Sequence, residues 1–373
     1  MKQNIPFNKP YTFKSDLNYI KQVFKKQKFT DGYFQKKCEK FIQKKTKSKF
    51  IALTHSCTSA LEISMILINL KKDDEVIMPS YTFTSTANAV LLRGAKPVFV
   101  DVKSKDINLD PELVEKKITK KTKAILVVHY GGNSCDMNYF LKLKKKYNLF
   151  LIEDAAHAFL GKYKNKFLGS IGDFGAYSFH ETKNFVGGQC GALLINNSKY
   201  IKRAKILLDK GTDRVFMNDK KKYYSWKDIG SEFRSAELPA ALLFSQLMKS
   251  ESIQLKRQKL WNYYYKKFIR FNNEYFYILK KNTFNKSAHH TFVIIFKKLS
   301  LREKFIRHMK KKGISCYFHY YPLHLSSFGK KFIDKKLTNT EQIYNGLVRL
   351  PLYPSLKDSE IKRIVFEIEK FIK

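Results

Sequence analysis

Leu151-Ile-Glu-Asp-Ala-Ala-His-Ala158 and Phe174-Gly-Ala-Tyr-Ser-Phe-His-Glu-Thr-Lys-Asn-Phe-Val-Gly-Gly-Gln-Cys-Gly191 are the two runs around which the chain is organised. The first closes an apolar run, Leu149 to Ile152, with Glu153 and the carboxylate of Asp154. The second is strand-like as far as Phe179, then bends through Lys183 into a pair of glycines. A carboxylate and an amine leaving neighbouring strand ends can reach one ligand. Outward from this pair the same rhythm repeats. Short apolar runs at Phe50 to Leu53, Glu75 to Met78, Pro97 to Val102, Ala124 to Val128 and Leu149 to Ile152 alternate with helical patterns at Thr58 to Leu67, Thr84 to Leu92, Asp110 to Ile118 and Asp136 to Tyr147. Such alternation predicts an α/β fold with a mostly parallel sheet covered by helices on both faces, and ligands in such sheets gather where the strands end.

Before this region come two helical patterns, one over Asp16 to Phe24 and one carrying Cys38 and Phe41 inward after the Thr30-Asp31-Gly32 stop. After it come a helix from Ser198 to Leu208, a lysine-rich polar segment to Asp228 and a long helical stretch from Ser235 to Phe268. Strands near Phe276 to Leu279 and Thr291 to Phe296, a helix at Leu301 to Lys312 and a closing helix from Lys357 to Ile372 complete the chain. The expected division is a large domain over residues 1–250, including the N-terminal helical segment, and a small C-terminal α/β domain over 251–373.

The chain has 373 residues and 44% hydrophobic content, enough to bury a sizeable core. Its formal net charge of +40 comes from 72 basic and 32 acidic residues, and ten of the 72 are arginine. The lysines are spread from end to end, and Arg is the side chain that base-edge recognition prefers, so nucleic-acid binding is not the expected role. The five cysteines are scattered without a C-x-x-C pair, which indicates neither a disulfide framework nor a zinc ribbon and fits a reducing cytoplasm. No apolar h-region and no bilayer-length apolar run stands out, so no membrane association is expected. His55, His129, His157 and His180 fall near strand ends, but no metal-ligand spacing such as H-E-x-x-H is present and no metal is expected. The first strand is followed by no G-x-G-x-x-G, which counts against a nicotinamide cofactor.

The chemistry-bearing residues each have a plain alternative. Lys183 is one lysine among many, yet a lysine partly desolvated at a sheet edge has a lowered pKa and can form a Schiff base. Asp154 could simply cap Ala155-Ala156-His157; buried at a strand end it calls for a cation, and a protonated pyridine nitrogen would be one. Ser56, Cys57 and Thr58 open a helix where free backbone N–H groups favour phosphate, although Ser56 or Thr58 could be an ordinary N-cap. Ser178 can add a hydroxyl to the same anion, and Phe83, in the loop after another strand, can stack on a flat heterocycle or belong to the core.

A phosphate cradle, a stacking aromatic, a carboxylate and a lysine, all at strand ends, describe a site for pyridoxal 5'-phosphate. The chain resembles the pyridoxal-phosphate-dependent nucleotide-sugar aminotransferases of the DegT/StrS type from Ile5-Pro-Phe-Asn8 to Arg349-Leu-Pro-Leu-Tyr-Pro354. Within that family, the runs Met78 to Ala89, Leu92 to Val102, Ser178 to Asn184 and Trp226 to Ser231 most resemble the members that make dTDP-4-amino-4,6-dideoxygalactose. The resemblance implies the fold of the type I pyridoxal-phosphate transferases, a homodimer with both sites at the interface, and L-glutamate and a nucleotide sugar as substrates. It implies that Lys183 holds the cofactor and shuttles the proton, that Asp154 meets the pyridine nitrogen, and that His157 stands beside the 3-hydroxyl. It also implies that Phe83 stacks on the ring and that Cys57, Thr58 and Ser178 touch the phosphate, with Cys57 where many relatives have Gly. Ser231 stands where many relatives carry an Asn that reaches the partner's phosphate, and Gln189 replaces an expected Glu. Lys183 argues against a deoxysugar dehydratase of the same family, in which His takes its place; a non-catalytic regulator of the same fold is the other alternative.

Overall fold

The computed structural model describes residues 4–104, 106–218, 222–271, 275–279, 285–333 and 335–372. Seven strands form one sheet in the order Phe50–Thr54, Gly191–Ile195, Phe174–Ser178, Phe150–Asp154, Thr122–Val128, Glu75–Pro79, Lys96–Val100. The last five run parallel to one another, and Gly191–Ile195 is antiparallel to both strands beside it. The expected α/β class with a mostly parallel sheet is therefore the observed one. The registers set up the site. Asp154 lies opposite Val128 and Ala176, Ser178 opposite Gly191, and Gly191 opposite Thr54, so these positions share one edge of the sheet.

The central strands are apolar on both faces because both faces are covered. Along Thr122–Val128, Ala124, Leu126 and Val128 enter the core that holds the helix Cys57–Leu67, while Ile125 and Val127 meet Met137, Phe140 and Leu143 of the helix Met137–Tyr147. This is the period-two alternation of a pleated strand. Full burial of a side chain such as Leu126 stabilises the fold by roughly 1.5–3 kcal/mol.

A second, antiparallel sheet joins Phe276–Ile278, Phe292–Phe296 and Leu347–Leu350. Its core takes side chains from the helices Ser250–Phe268, Leu299–Lys311 and Asp358–Ile372. Ile5 also packs there, 1% exposed, its N–H donating to the Gly313 carbonyl at 2.8 Å. Two features depart from the sequence reading. The stretch expected as one helix is two, Glu237–Met248 and Ser250–Phe268, because the Lys249 N–H turns back to the Gln246 carbonyl (3.1 Å) and closes the first helix with a tight turn. The helix Thr338–Gly346 and the strand Leu347–Leu350 were not anticipated, since the strand is short and carries Arg349 inside its apolar run.

Among the described residues, no helix is long and apolar enough to cross a membrane, and no cluster of His, Cys, Asp and Glu could hold a metal ion. Cys38, Cys57, Cys135, Cys190 and Cys316 are all buried thiols.

Candidate active site

A cavity of about 620 Å³ lies over the carboxyl ends of the parallel strands. Ser56, Cys57, Thr58, Phe83, Asp154, His157, Ser178 and Lys183 all line it, and so does Gln189. The sequence candidates are thus brought together, with the exception of Ser231, which is exposed and lies outside the described lining.

Asp154 ends its strand 5% exposed. Its Oδ2 accepts from Thr86 Oγ1 at 2.9 Å and its Oδ1 from the Ala156 N–H at 3.1 Å, while Thr86 and Thr82 share a further bond of 2.8 Å. Ala156 sits in a turn, so the bond to it does not cap a helix. Burial pushes the Asp154 carboxyl upward, and the two hydrogen bonds and the Lys183 charge work against that rise. Asp154 faces the cavity with no ion pair within 4.0 Å to it among the described residues.

Lys183 belongs to the loop that links two antiparallel strands. The loop is pinned at its base, where Phe179 N donates to the Cys190 carbonyl (2.8 Å) and Gly187 N to the Phe179 carbonyl (2.7 Å), and Lys183 N donates to the His180 carbonyl (2.9 Å). Burial holds the Lys183 amine below its ordinary range and the Arg349 charge lowers it further, against the pull of Cys57 and Asp154. An amine so placed is available as a nucleophile and base.

The helix Cys57–Leu67 points its N-terminus into the same cavity, with Ser56 as its cap accepting from the Ser59 N–H at 3.1 Å. The N-cap reading of Ser56 holds, and the capped helix end lines the cavity through Cys57 and Thr58. The approach depends on Gly191, where a Cβ would stand 2.3 Å from the Ser56 carbonyl carbon and 2.4 Å from the Cys57 nitrogen. Burial raises the Cys57 thiol well above its usual value, so at neutral pH it is an uncharged wall of the cradle. Phe83 precedes the helix Thr84–Leu91 and is 59% exposed, its ring open to the cavity.

His157 Nδ1 accepts from the Gly131 N–H at 3.3 Å, which leaves the proton of the neutral ring on Nε2, 3.4 Å from the Tyr320 hydroxyl. Its ring stacks on His290. His290 Nδ1 donates to Asn184 Oδ1 at 2.9 Å, and the Asn184 amide in turn donates to the Ala288 carbonyl at 2.7 Å. Burial pushes His157, His290 and His319 well below the ordinary imidazole range. His290, His319, Tyr320, Thr82 and Arg349 also line the cavity and went unnoticed as site residues in the sequence. No local spacing links them to Lys183, and the phrase Thr82-Phe83-Thr84-Ser85-Thr86, with hydroxyls at both ends, was the one signal available for the bonds beneath Asp154.

The buried carboxylate, the lysine with lowered pKa and the anion cradle fit pyridoxal phosphate. A model of the DegT/DnrJ/EryC1/StrS aminotransferase family matches residues 10–369. The UDP-4-amino-4,6-dideoxy-N-acetyl-beta-L-altrosamine transaminase of Campylobacter jejuni is 31% identical over 96% of this chain and 96% of its own length. Helicobacter pylori PseC, an aminotransferase involved in the biosynthesis of pseudoaminic acid, has a structure similar at a TM-score of 0.91 with 26% identity over 99% of both chains. The PLP-form of Spr1654 from Streptococcus pneumoniae gives a TM-score of 0.90 with 25% identity over 100% of both. This chain belongs to the DegT/DnrJ/EryC1/StrS aminotransferase family, and is a sugar aminotransferase whose cofactor is pyridoxal phosphate.

Proposed function

We propose that this enzyme moves an amino group from L-glutamate to the C4 keto carbon of a nucleotide-linked 4-keto-6-deoxy sugar. The acceptor in this reading is dTDP-4-keto-6-deoxy-D-glucose and the product dTDP-4-amino-4,6-dideoxy-D-galactose. The observation that carries it is the meeting of Lys183 and Asp154 on one cavity beside a helix N-terminus. The choice of sugar rests on the four sequence runs quoted above.

Bound pyridoxal phosphate supplies an electron sink for the pair of electrons left when a substrate C–H proton is removed. Ser56, Cys57, Thr58 and Ser178 would hold its phosphate and Phe83 would cover its ring, while Asp154 would keep the pyridine nitrogen protonated and His157 would stand beside the 3-hydroxyl. The Lys183 amine would hold the cofactor and would serve as the base that takes a proton from the substrate carbon and the acid that returns it. The same residues serve both half-transfers.

Tyr223 at 84% and Trp226 at 80% exposure, with Tyr224 and Ile229 beside them, support a homodimer in which a second copy covers this apolar segment. Ser231 follows this segment in sequence, at the position where the family resemblance implies a residue reaching the partner's phosphate. The enzyme would act in the cytoplasm without nucleic-acid or membrane partners, as two units divided near residue 250, and feed polysaccharide biosynthesis. A UDP- or GDP-linked acceptor, or a 3-keto sugar, is the second reading; the identity to the UDP-sugar transaminase of Campylobacter jejuni supports its UDP arm.

Two measurements test these readings. Purified wild type with its cofactor should absorb in the visible, and Lys183→Ala should lose that covalent band; a colourless wild type after incubation with the cofactor would sink the lysine assignment. A panel of dTDP-, UDP- and GDP-ketosugars with L-glutamate, read by product mass and by sugar stereochemistry, separates the acceptors. Turnover confined to the UDP or GDP arm would overturn the dTDP reading.

A further inference from the structure

Residues 287–291 lead into the strand Phe292–Phe296 and lie against Gly131 and Gly132 on the large-sheet side. The Ala288 N–H donates to the Gly132 carbonyl at 2.9 Å, and the His290 N–H to the Gly131 carbonyl at 3.2 Å. The contact is close enough that a Cβ on Gly132 would stand 2.8 Å from the Ala288 Cβ. Arg257 holds the same segment from the small-sheet side, its Nε donating to the His289 carbonyl at 3.1 Å. The His290 backbone is therefore fixed from two directions, and its half-buried ring lines the cavity.

Two hydrogen bonds decide which nitrogen of that ring carries the proton. The Ala288 carbonyl can only accept, so the Asn184 group 2.7 Å from it is the amide NH2. Asn184 Oδ1 consequently faces His290 Nδ1, 2.9 Å away, and it too can only accept. The proton sits on Nδ1. Burial keeps the ring uncharged, and the 4.2 Å stack on His157 disfavours charge on either ring. His290 Nε2 is left as a bare lone pair, with no hydrogen-bond partner among the described residues. The stacked ring of His157 is wired the opposite way, because its Nδ1 accepts from the Gly131 N–H and its Nε2 donates. One donor and one acceptor thus stand side by side on the cavity wall.

A bare lone pair is selective. It repels carboxylate, phosphate and carbonyl oxygens and attracts an O–H or N–H. The neighbouring rings of His157, His319 and Tyr320 are uncharged as well, so this wall suits a neutral hydrogen-bonding group. The sugar ring of the acceptor is such a group, whereas L-glutamate brings no hydroxyl. Resting on the amino-transfer reading above, we propose that His290 selects the acceptor by taking a hydrogen bond at Nε2 from the hydroxyl on the carbon beside the ketosugar's carbonyl. That hydroxyl is one carbon away from the group that meets Lys183. Lys183 and His290 line the same cavity, and Asn184 joins them, as the chain neighbour of one and the hydrogen-bond partner of the other. Asn184 is the positioning residue, since its carbonyl keeps the proton on Nδ1. The same lone pair turns the sugar's carbonyl oxygen away from His290, so one atom both holds and orients the ring.

The test uses holoenzyme of wild type, His290→Phe and Asn184→Leu, with folding checked by melting and cofactor loading by the visible band. Aminated enzyme is reacted with dTDP-4-keto-6-deoxy-D-glucose and with its 3-deoxy and 3-deoxy-3-fluoro analogues. The UDP or GDP series takes their place where the acceptor panel selects that nucleotide. In wild type the 3-deoxy sugar should react at least about tenfold more slowly, and the fluoro sugar, which can only accept, should do no better. His290→Phe keeps a stacked ring without the lone pair and should bring the three sugars to within about threefold of one another. Asn184→Leu frees the proton to either nitrogen and should narrow the same gap. In both variants the half-reaction with L-glutamate should lose less than that with the hydroxylated sugar. An undiminished preference for the 3-hydroxyl in His290→Phe would overturn the proposal; if that variant fails to load cofactor, an undiminished preference in Asn184→Leu does so. Equal losses in the two half-reactions would also overturn it, assigning the lone pair to the transferred nitrogen. A wild type inert toward every ketosugar of the panel would instead remove the amino-transfer reading, and this proposal with it.

Discussion

His157 and His290 stack face to face, ring centroids 4.2 Å apart and planes 19° from parallel. Two imidazolium rings could not share that spacing without strong repulsion, and burial already holds both rings well below their ordinary pKa. Below the unfolded imidazole pKa of about 6.5, the unfolded chain binds more protons than the folded one. The contribution of these rings is therefore complete above that pH and is lost as pH falls from it toward the folded pKa values. For His157, 7% exposed, the slope is at most about 1.4 kcal/mol per pH unit. Cofactor-free protein should melt at a lower temperature at pH 5.5 than at pH 7.5, taking these as roughly one unit either side of that pKa. His157→Gln should flatten the difference; identical profiles for the two proteins would refute the assignment.

Asp154 is held by Thr86 from one side and the Ala156 N–H from the other. Asp154→Asn should retain bound cofactor but slow both half-reactions by roughly 100-fold or more, because a neutral amide cannot stabilise a protonated pyridine. Thr86→Val should slow them by on the order of tenfold, since one hydrogen bond to a charged group is lost. Rapid-scanning spectroscopy with each substrate separates the two effects, and a wild-type rate in Asp154→Asn would show that another group performs this task.

Gly191 is the point at which the sheet admits the helix end. Gly191→Ala forces a Cβ against the Ser56 and Cys57 backbone, so it should cost roughly 1–3 kcal/mol in stability. The displaced helix should also weaken cofactor binding more than substrate binding. Equilibrium dialysis against pyridoxal phosphate checks this, and unaltered affinity would mean that the cradle tolerates the shift.

Ser80, His324 and Glu341 line up like a hydrolytic relay: Ser80 Oγ is 2.6 Å from His324 Nδ1, and His324 Nε2 is 3.4 Å from Glu341 Oε1. The arrangement ties loops together instead. Ser80 is 0% exposed, and its Oγ also accepts from the His324 N–H at 3.1 Å. A fluorophosphonate probe should leave Ser80 unlabelled, and His324→Ala should lower stability by roughly 2 kcal/mol through the unsatisfied hydroxyl and the lost packing. Labelling at Ser80 would contradict the structural role.

Legibility in the sequence followed the source of each side chain. Lys183, Asp154, Ser178 and the cradle at Ser56 to Thr58 stand at strand ends of the large sheet, where apolar runs stop at polar residues, so local pattern sufficed to find them. The strands themselves were readable because burial on both faces makes them nearly continuous apolar runs. His290, His319, Tyr320 and Arg349 reach the cavity from the other side, carried by the second sheet and its loops. Their approach depends on tertiary packing between segments more than a hundred positions from Lys183, and no periodicity encodes it. Arg349 illustrates both halves of the problem. Its charge interrupts the apolar run that would have marked Leu347–Leu350 as a strand, and that same charge is what the strand delivers to the pocket.

The contact of Phe7 with Arg349 joins residues from the two extremes of the chain at one cavity wall. Synthesis on the ribosome runs from the amino end, so the cradle at Ser56 to Thr58 and the amine of Lys183 are made long before the wall that faces them. A nascent chain can form the large sheet and still lack Arg349, Tyr320 and His319. The two walls of the cavity are consequently completed at different times during biogenesis, and a truncated translation product would retain Lys183 without the side chains that close the cavity over it.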